Sequence, residues 1–137
     1  MAKAPSNGDD QQAVFVALRK LLHVHAPSLT VNANEPKRYS LEARTGPATL
    51  AAWGGKKKSN TIPIAWTEIG KSYVSFHLMG LPGNSKLVAS LSPALKARMQ
   101  GISCFNFRHV DDALFDELRE VTAKSIAGLK RTGFIAD

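Results

Sequence analysis

Two residues that could carry out chemistry, His77 and Cys104, fall on strands predicted from alternating side chains. A cysteine beside a histidine can act as a nucleophile, because a close imidazole stabilises the thiolate. Alternation places both side chains on the same open face of the predicted sheet. The sequence does not show whether their strands are neighbours, and no third orienting residue stands in a recognisable motif. We therefore interpret Cys104 as a half-buried packing residue and expect no enzyme activity.

Three carboxylates recur at every fourth position near the carboxyl end: Asp112, Asp116 and Glu120. This spacing puts them on one face of a helix, and hard cations take oxygen ligands from such carboxylates. The alternative is structural, because the helix dipole stabilises acidic residues in a first turn and Asp111 is a natural N-cap. No compact, mixed ligand set accompanies them. A metal carrier is therefore an alternative interpretation, and no cofactor is expected.

Two further patterns have structural explanations. His23 and His25 form an H-x-H pair, but at a helix end their side chains diverge by about 200°. Three lysines, residues 56–58, follow two glycines without forming the phosphate-binding P-loop pattern. This basic loop lacks the interleaved aromatic residues of a single-strand stacking platform. Nucleic acid binding through the loop is a third interpretation, and nucleic acid is not the expected partner.

The strands around His77 and Cys104 alternate in polarity, as expected of a sheet with one buried face. The predicted strands are residues 29–32, 38–44, 61–69, 72–79 and 102–108, and the predicted helices are residues 11–25, 85–91, 92–101 and 111–130. Asp9 or Asp10 is predicted to cap the first helix. The buried face is predicted to hold Ile62, Ile64, Trp66, Val74, Phe76, Leu78, Phe105 and Phe107. The open face is predicted to hold Arg38, Ser40, Glu42, Arg44, Ala65, Thr67, Tyr73, Ser75, His77, Met79, Cys104, Asn106 and Arg108. The fold class is therefore α+β: a two-layer sandwich, with an antiparallel sheet and the N- and C-terminal helices packed on one face.

The bulk composition favours one globular domain in the cytoplasm. The chain has 137 residues, 44% of them hydrophobic and 21% charged, with a net charge of +7. We predict a flexible tail over residues 1–10 and a single domain over residues 11–132. The lone cysteine fits a reducing compartment. We also find no secretory signal and no apolar run long enough to cross a bilayer, so we expect no membrane association.

Four segments resemble the YdhG-like family, a bacterial domain of unknown function: LRKLLHVHAP, KSYVSFHLMGLPGN, SPALKARMQGISCFNF and VDDALFDELREVTAKSI. The resemblance covers roughly residues 11–131, and residues 71–107 carry most of it. It implies an antiparallel sheet with helices against one face, and no catalytic residue. Some members are described as frataxin-like iron chaperones, which implies an acidic surface for ferrous ion. This chain departs from that pattern, because it is basic over most of its length.

The open sheet face is the surface that we expect to function. Its central residues are Tyr73, Ser75, His77, Met79, Cys104 and Asn106, a set more apolar than a solvent-facing surface requires. The expected occupant is a second copy of the chain or a small ligand, which the sequence does not identify.

Overall fold

The computed structural model describes the backbone of residues 7–136 and the side chains of residues 10–136. Within these residues the chain forms five α-helices: α1 Asn7–His23, α2 Pro47–Ala52, α3 Ser85–Ala89, α4 Pro93–Lys96 and α5 Asp112–Arg131. A short 3-10 helix, Ala26–Ser28, follows α1. The six strands are β1 Thr30–Glu35, β2 Arg38–Arg44, β3 Thr61–Ile69, β4 Val74–Leu78, β5 Met99–Gln100 and β6 Cys104–Phe107. They form one antiparallel sheet in the order β1-β2-β3-β4-β6-β5, which confirms the predicted α+β fold. No helix of residues 7–136 is long and apolar enough to cross a bilayer.

One face of the sheet packs against α1 and α5. In the β4–β6 ladder Val74 pairs with Phe107 and Phe76 pairs with Phe105, so these four side chains project from the same face. All four are at most 2% exposed, as is Leu78 at the end of β4. Each such side chain contributes roughly 1.5–3 kcal/mol by leaving water. The predicted buried set on β4 and β6 is confirmed.

A β-bulge interrupts the ladder between β2 and β3. Leu41 pairs with Ala65, but the next residue of β2, Glu42, pairs with Pro63. Ile64 is therefore an extra residue without a partner of its own, and it is only 1% exposed. An extra residue shifts the alternation of side chains along the strand that carries it.

The shift reverses part of the prediction for β3. Thr67 pairs with a buried phenylalanine of β4, and both Ala65 and Thr67 are fully buried. Trp66 pairs with His77 and lies on the open face. The predicted positions of Ala65, Thr67 and Trp66 were therefore wrong. The alternating Ile62, Ile64 and Trp66 suggested a regular strand, and nothing in that pattern indicates a bulge.

The amino-terminal helix begins at Asn7, earlier than predicted. Residues 1–6 of the predicted tail lie outside the described residues, and residues 7–10 belong to α1. The cap predicted at Asp9 or Asp10 was wrong. The Asp10 carboxylate instead accepts a hydrogen bond from the His109 ring at 2.9 Å, joining α1 to the loop before α5. The cap at Asp111 is confirmed, because its carboxylate accepts from the Leu114 N–H at 3.1 Å.

The chain returns at its carboxyl end to the start of α2, a helix that the sequence analysis did not predict. The Gly46 N–H donates to the Phe134 carbonyl at 2.9 Å, and the Ala136 N–H donates to the Arg44 carbonyl at 2.9 Å. A Cβ atom on Gly46 would lie 2.2 Å from the Gly133 oxygen, so only glycine permits this approach. Because Ile135 is 2% exposed, packed residues extend past the predicted domain limit at residue 132.

Candidate binding face

Five side chains cross the open face in a single line, which we call the open-face row. The row consists of Ser40, Trp66, His77, Cys104 and Gln100, one from each of five adjacent strands. Each is directly paired with the next across the sheet, so their side chains stand side by side. The three central members are half-buried, and Ser40 is completely covered.

The centre of the row is an aromatic stack. The Trp66 and His77 ring centroids are 4.6 Å apart, and the ring planes are inclined by 15°. The Arg38 guanidinium carbon lies 5.9 Å from the Trp66 centroid, and this arginine also pairs with Glu68 at 2.5 Å. Both charged groups are more than one-third exposed, so the pair contributes at most about 1 kcal/mol. Its main effect is to place one positive and one negative group beside the aromatic rings.

His77 and Cys104 are in contact, which the sequence left open. The His77 Nε2 atom lies 3.7 Å from the Cys104 Sγ atom across the β4–β6 ladder. Burial lowers the pKa of His77; the Glu68 carboxylate opposes this shift and the Arg38 guanidinium adds to it. Burial raises the pKa of the Cys104 thiol, opposed by a backbone hydrogen bond from Phe76. Both shifts favour the neutral forms, so the pair is a thiol beside an imidazole and not an activated thiolate.

Amide groups continue the face beyond Cys104. The Asn106 Oδ1 atom lies 3.6 Å from the Cys104 sulfur, and the Asn106 amide donates to the Gln100 Oε1 atom at 2.7 Å. On β4 the Ser75 hydroxyl donates to the Glu68 carbonyl at 3.4 Å. These groups form a polar border beside the aromatic and thiol centre.

The structure brings together four of the six residues expected to act on this face: Ser75, His77, Cys104 and Asn106. Tyr73 lies in the turn before β4, where its carbonyl accepts from the Gly70 N–H at 2.9 Å. Met79 follows the end of β4 and is 43% exposed.

Sequence reasoning missed two members of the row, Trp66 and Gln100. The bulge at Ile64 concealed the first, and the second belongs to a strand of only two residues. A two-residue strand carries no readable alternation, so no sequence signal identified Gln100.

The acidic residues of α5 stay apart. Asp112, Asp116 and Glu120 are all exposed, and Asp116 accepts a hydrogen bond from Arg119 at 2.6 Å. Within the described part of the chain, no three His, Cys, Asp or Glu side chains converge as ligands of a metal ion would. The metal carrier hypothesis therefore gains no support from this geometry.

The two histidines of the H-x-H pair have different surroundings. The His23 Nδ1 atom is hydrogen-bonded to the Tyr39 hydroxyl at 2.8 Å. Burial lowers the pKa of His25, and the nearby Lys130 charge adds to that shift. The exposed His23 ring contacts Tyr39, whereas the half-buried His25 lies beyond the end of α1. The lysines at residues 56–58 are exposed in the loop after α2, as predicted for a solvated loop.

The comparisons with known proteins give no relative. No family model, no curated protein and no solved structure matches the chain. The resemblance to the YdhG-like family stays a prediction, and the function must be inferred from the geometry of the chain itself.

Proposed function

We propose that the protein is a non-enzymatic binding domain that forms a two-fold homodimer through its open sheet face. The observation that carries this proposal is the Trp66–His77–Cys104 contact, a half-buried centre on the open face of the sheet. Polar side chains border it along one edge, in the neighbouring cross-strand row Arg38, Glu68, Ser75 and Asn106. Protein interfaces share this arrangement of an aromatic, weakly charged core and a polar rim.

A second copy suits this face because a two-fold interface must be complementary to itself. Arg38 and Glu68 place a positive and a negative charge side by side at one edge of the face. Rotation by 180° can therefore bring Arg38 of each copy near Glu68 of the other. Trp66 supplies the large aromatic surface typical of interface hot spots. Covering it would remove apolar area that the monomer leaves partly in water.

The net charge makes self-association distinguishable from binding to a polyanion. Two bodies that each carry +7 repel one another, and salt screens that repulsion. Self-association should therefore tighten as ionic strength rises towards about 0.3 M. Binding to nucleic acid would weaken steeply over the same range, because it releases condensed counterions.

Sedimentation velocity over concentrations on the order of 1–300 µM tests the proposal, because dimers form by mass action. We expect the wild type to approach twice the monomer mass. His77→Glu should weaken association at least ~10-fold, because it puts an unpaired charge at the interface core. Val16→Glu is the matched control: Val16 is 53% exposed on α1, and this variant should associate like the wild type.

Fluorescence locates the contact. The chain has two tryptophans, so in a Trp53→Phe background the emission reports on Trp66 alone. Its maximum should shift to shorter wavelength with the same concentration dependence as the mass, because the ring leaves water. A wild type that stays monomeric across this range overturns the dimer, and leaves a small ligand as the occupant of the face.

A further inference from the structure

A groove lies where β4 ends beside the carboxyl-terminal part of α5. It consists of two adjoining cavities of about 300 and 370 Å³, which share Met79, Leu129 and Phe134 in their linings. Concave sites of this size hold small organic ligands. None of the lining residues belongs to the open-face row.

One end of the groove is apolar. Trp53, the residue after α2, lines this end together with Ile62 and Ile64 of β3, and Met79 and Phe134 line both cavities. Met79 is 43% exposed and Phe134 is 38% exposed, although both are large hydrophobic side chains. An apolar ligand would remove this surface from water and gain free energy in proportion to the area covered.

The other end of the groove presents hydrogen-bond donors around one point. The Asn84 Oδ1 atom accepts from the Leu87 N–H at 3.1 Å as the cap of α3, so the Asn84 amide NH₂ remains a donor. The position that a Cβ atom on Gly128 would occupy is 3.1 Å from the Asn84 Nδ2 atom and 3.7 Å from the Arg131 Nη2 atom. Because Gly128 has no side chain, the amide and the guanidinium can both approach this point.

The charge near that end is positive. Lys86 and Lys124 line an adjacent surface depression together with Asn84 and Arg131. No aspartate or glutamate of the described residues lines this depression or the two cavities. Like charges lining one concave surface concentrate the potential there and attract an anion.

We propose that this groove binds an amphipathic organic anion, with its carboxylate between Asn84 and Arg131 and its hydrocarbon part against Met79, Phe134 and Trp53. A guanidinium and an amide donate to a carboxylate through charge-assisted hydrogen bonds. The apolar end accommodates a chain that water would otherwise surround. None of its lining residues belongs to the open-face row, so the site extends the proposed function without depending on it.

Decanoate and decanol are the probes, because they share a hydrocarbon chain and differ in charge. In a Trp66→Phe background the only tryptophan left is Trp53, which lines the groove, so its fluorescence reports occupancy. We expect a saturable change with decanoate, and at least ~10-fold weaker binding of decanol because it forms no charge-assisted hydrogen bond.

Variants at each end of the groove separate the two contributions. Arg131→Gln should weaken decanoate about 10-fold and leave decanol unchanged, because only the charged head contacts this end. Met79→Gln should weaken both probes by a similar factor. Arg119→Gln, a substitution on the same helix but outside the groove, is the matched control and should bind like the parent chain. Circular dichroism checks that each variant is folded.

Three results would overturn the proposal: no saturable response to decanoate, equal affinity for decanoate and decanol, or an Arg131→Gln chain that binds decanoate normally. Inorganic phosphate binding as tightly as decanoate would also overturn it, by showing a simple anion site. The His77→Glu chain should bind decanoate unchanged, so loss of the dimer and loss of the groove ligand are distinguishable.

Discussion

His77 stays neutral because of where β4 holds it, stacked on Trp66 on one side and in contact with the Cys104 sulfur on the other. Partial removal from water disfavours the imidazolium, and the nearby carboxylate of Glu68 is itself paired with Arg38. The same burial disfavours the thiolate. A catalytic cysteine–histidine pair needs the opposite shifts, so these residues suit contact better than nucleophilic attack.

The lowered pKa of His77 predicts acid sensitivity of the fold. Below the ordinary value of 6.5 the unfolded chain binds a proton that the folded chain resists until its own lower pKa is reached. The contribution of His77 to the free energy of unfolding is therefore fully present above pH 6.5. It is lost as the pH falls from 6.5 towards the lower pKa of the folded chain. His77→Gln should flatten this slope when urea denaturation is followed between pH 5 and 8 at low protein concentration.

His25 is the companion control for that measurement, because burial lowers its pKa as well. His25→Gln should remove only the part of the pH dependence of stability that His25 causes. The double variant should remove the parts caused by both histidines. If the stability of the wild type rises on acidification from pH 7, the lowered pKa values of His77 and His25 are contradicted.

Single residues show where sequence reasoning reached its limit. Alternation placed His77 and Cys104 on one face correctly, because the side-chain period of a strand is local. Their contact depends on β4 and β6 being neighbours, although α3, α4 and β5 lie between them in the chain. No local pattern encodes that pairing.

The bounds of two strands were predictable from a regular sequence pattern. The bounds of β2 and β3 match the prediction because apolar residues recur at every second position in both sequences, although the bulge breaks this alternation in the folded β3. The unpredicted helix α2 carried a signal that was overlooked: Pro47 at its first turn, followed by helix-forming alanine and leucine. No sequence signal indicated the bulge in β3, because Ile64 fills the core as well as a residue of a regular strand would.

The bulge places Thr67 on the buried face of β3 and Trp66 on the open face, so substitutions at the two positions should differ in cost. Thr67→Lys should unfold the domain or cost more than about 4 kcal/mol, because it buries an unpaired charge. Trp66→Lys should cost no more than about 2 kcal/mol, because that side chain reaches water. Chemical denaturation of the two variants side by side measures the difference. Equal costs, or a larger cost at Trp66, would mean that β3 follows the regular alternation.

The whole molecule is joined by contacts between its distant ends. Thr45, which follows β2, forms a β-bridge with Ile135, and the Thr49 hydroxyl donates to the Phe134 carbonyl at 2.6 Å. These contacts fix α2 against the end of α5 and so shape the groove. The sequence after α5 is short and has no periodicity, so the predicted domain ended at residue 132. Its role depends on a partner about 90 residues earlier, a separation that only the folded chain reveals.

The carboxyl-terminal segment should therefore stabilise the whole domain. Ile135 is 2% exposed, so Ile135→Val should lower the free energy of unfolding by about 1 kcal/mol and Ile135→Ala by about 2–4 kcal/mol. The neighbouring Phe134→Ser is the control: Phe134 is 38% exposed, so its cost should stay below that of Ile135→Ala. Urea denaturation monitored by far-ultraviolet circular dichroism measures all three variants. If Ile135→Ala unfolds at the wild-type midpoint, the segment is not part of the cooperative core, and the groove that it helps to wall would lack a rigid side.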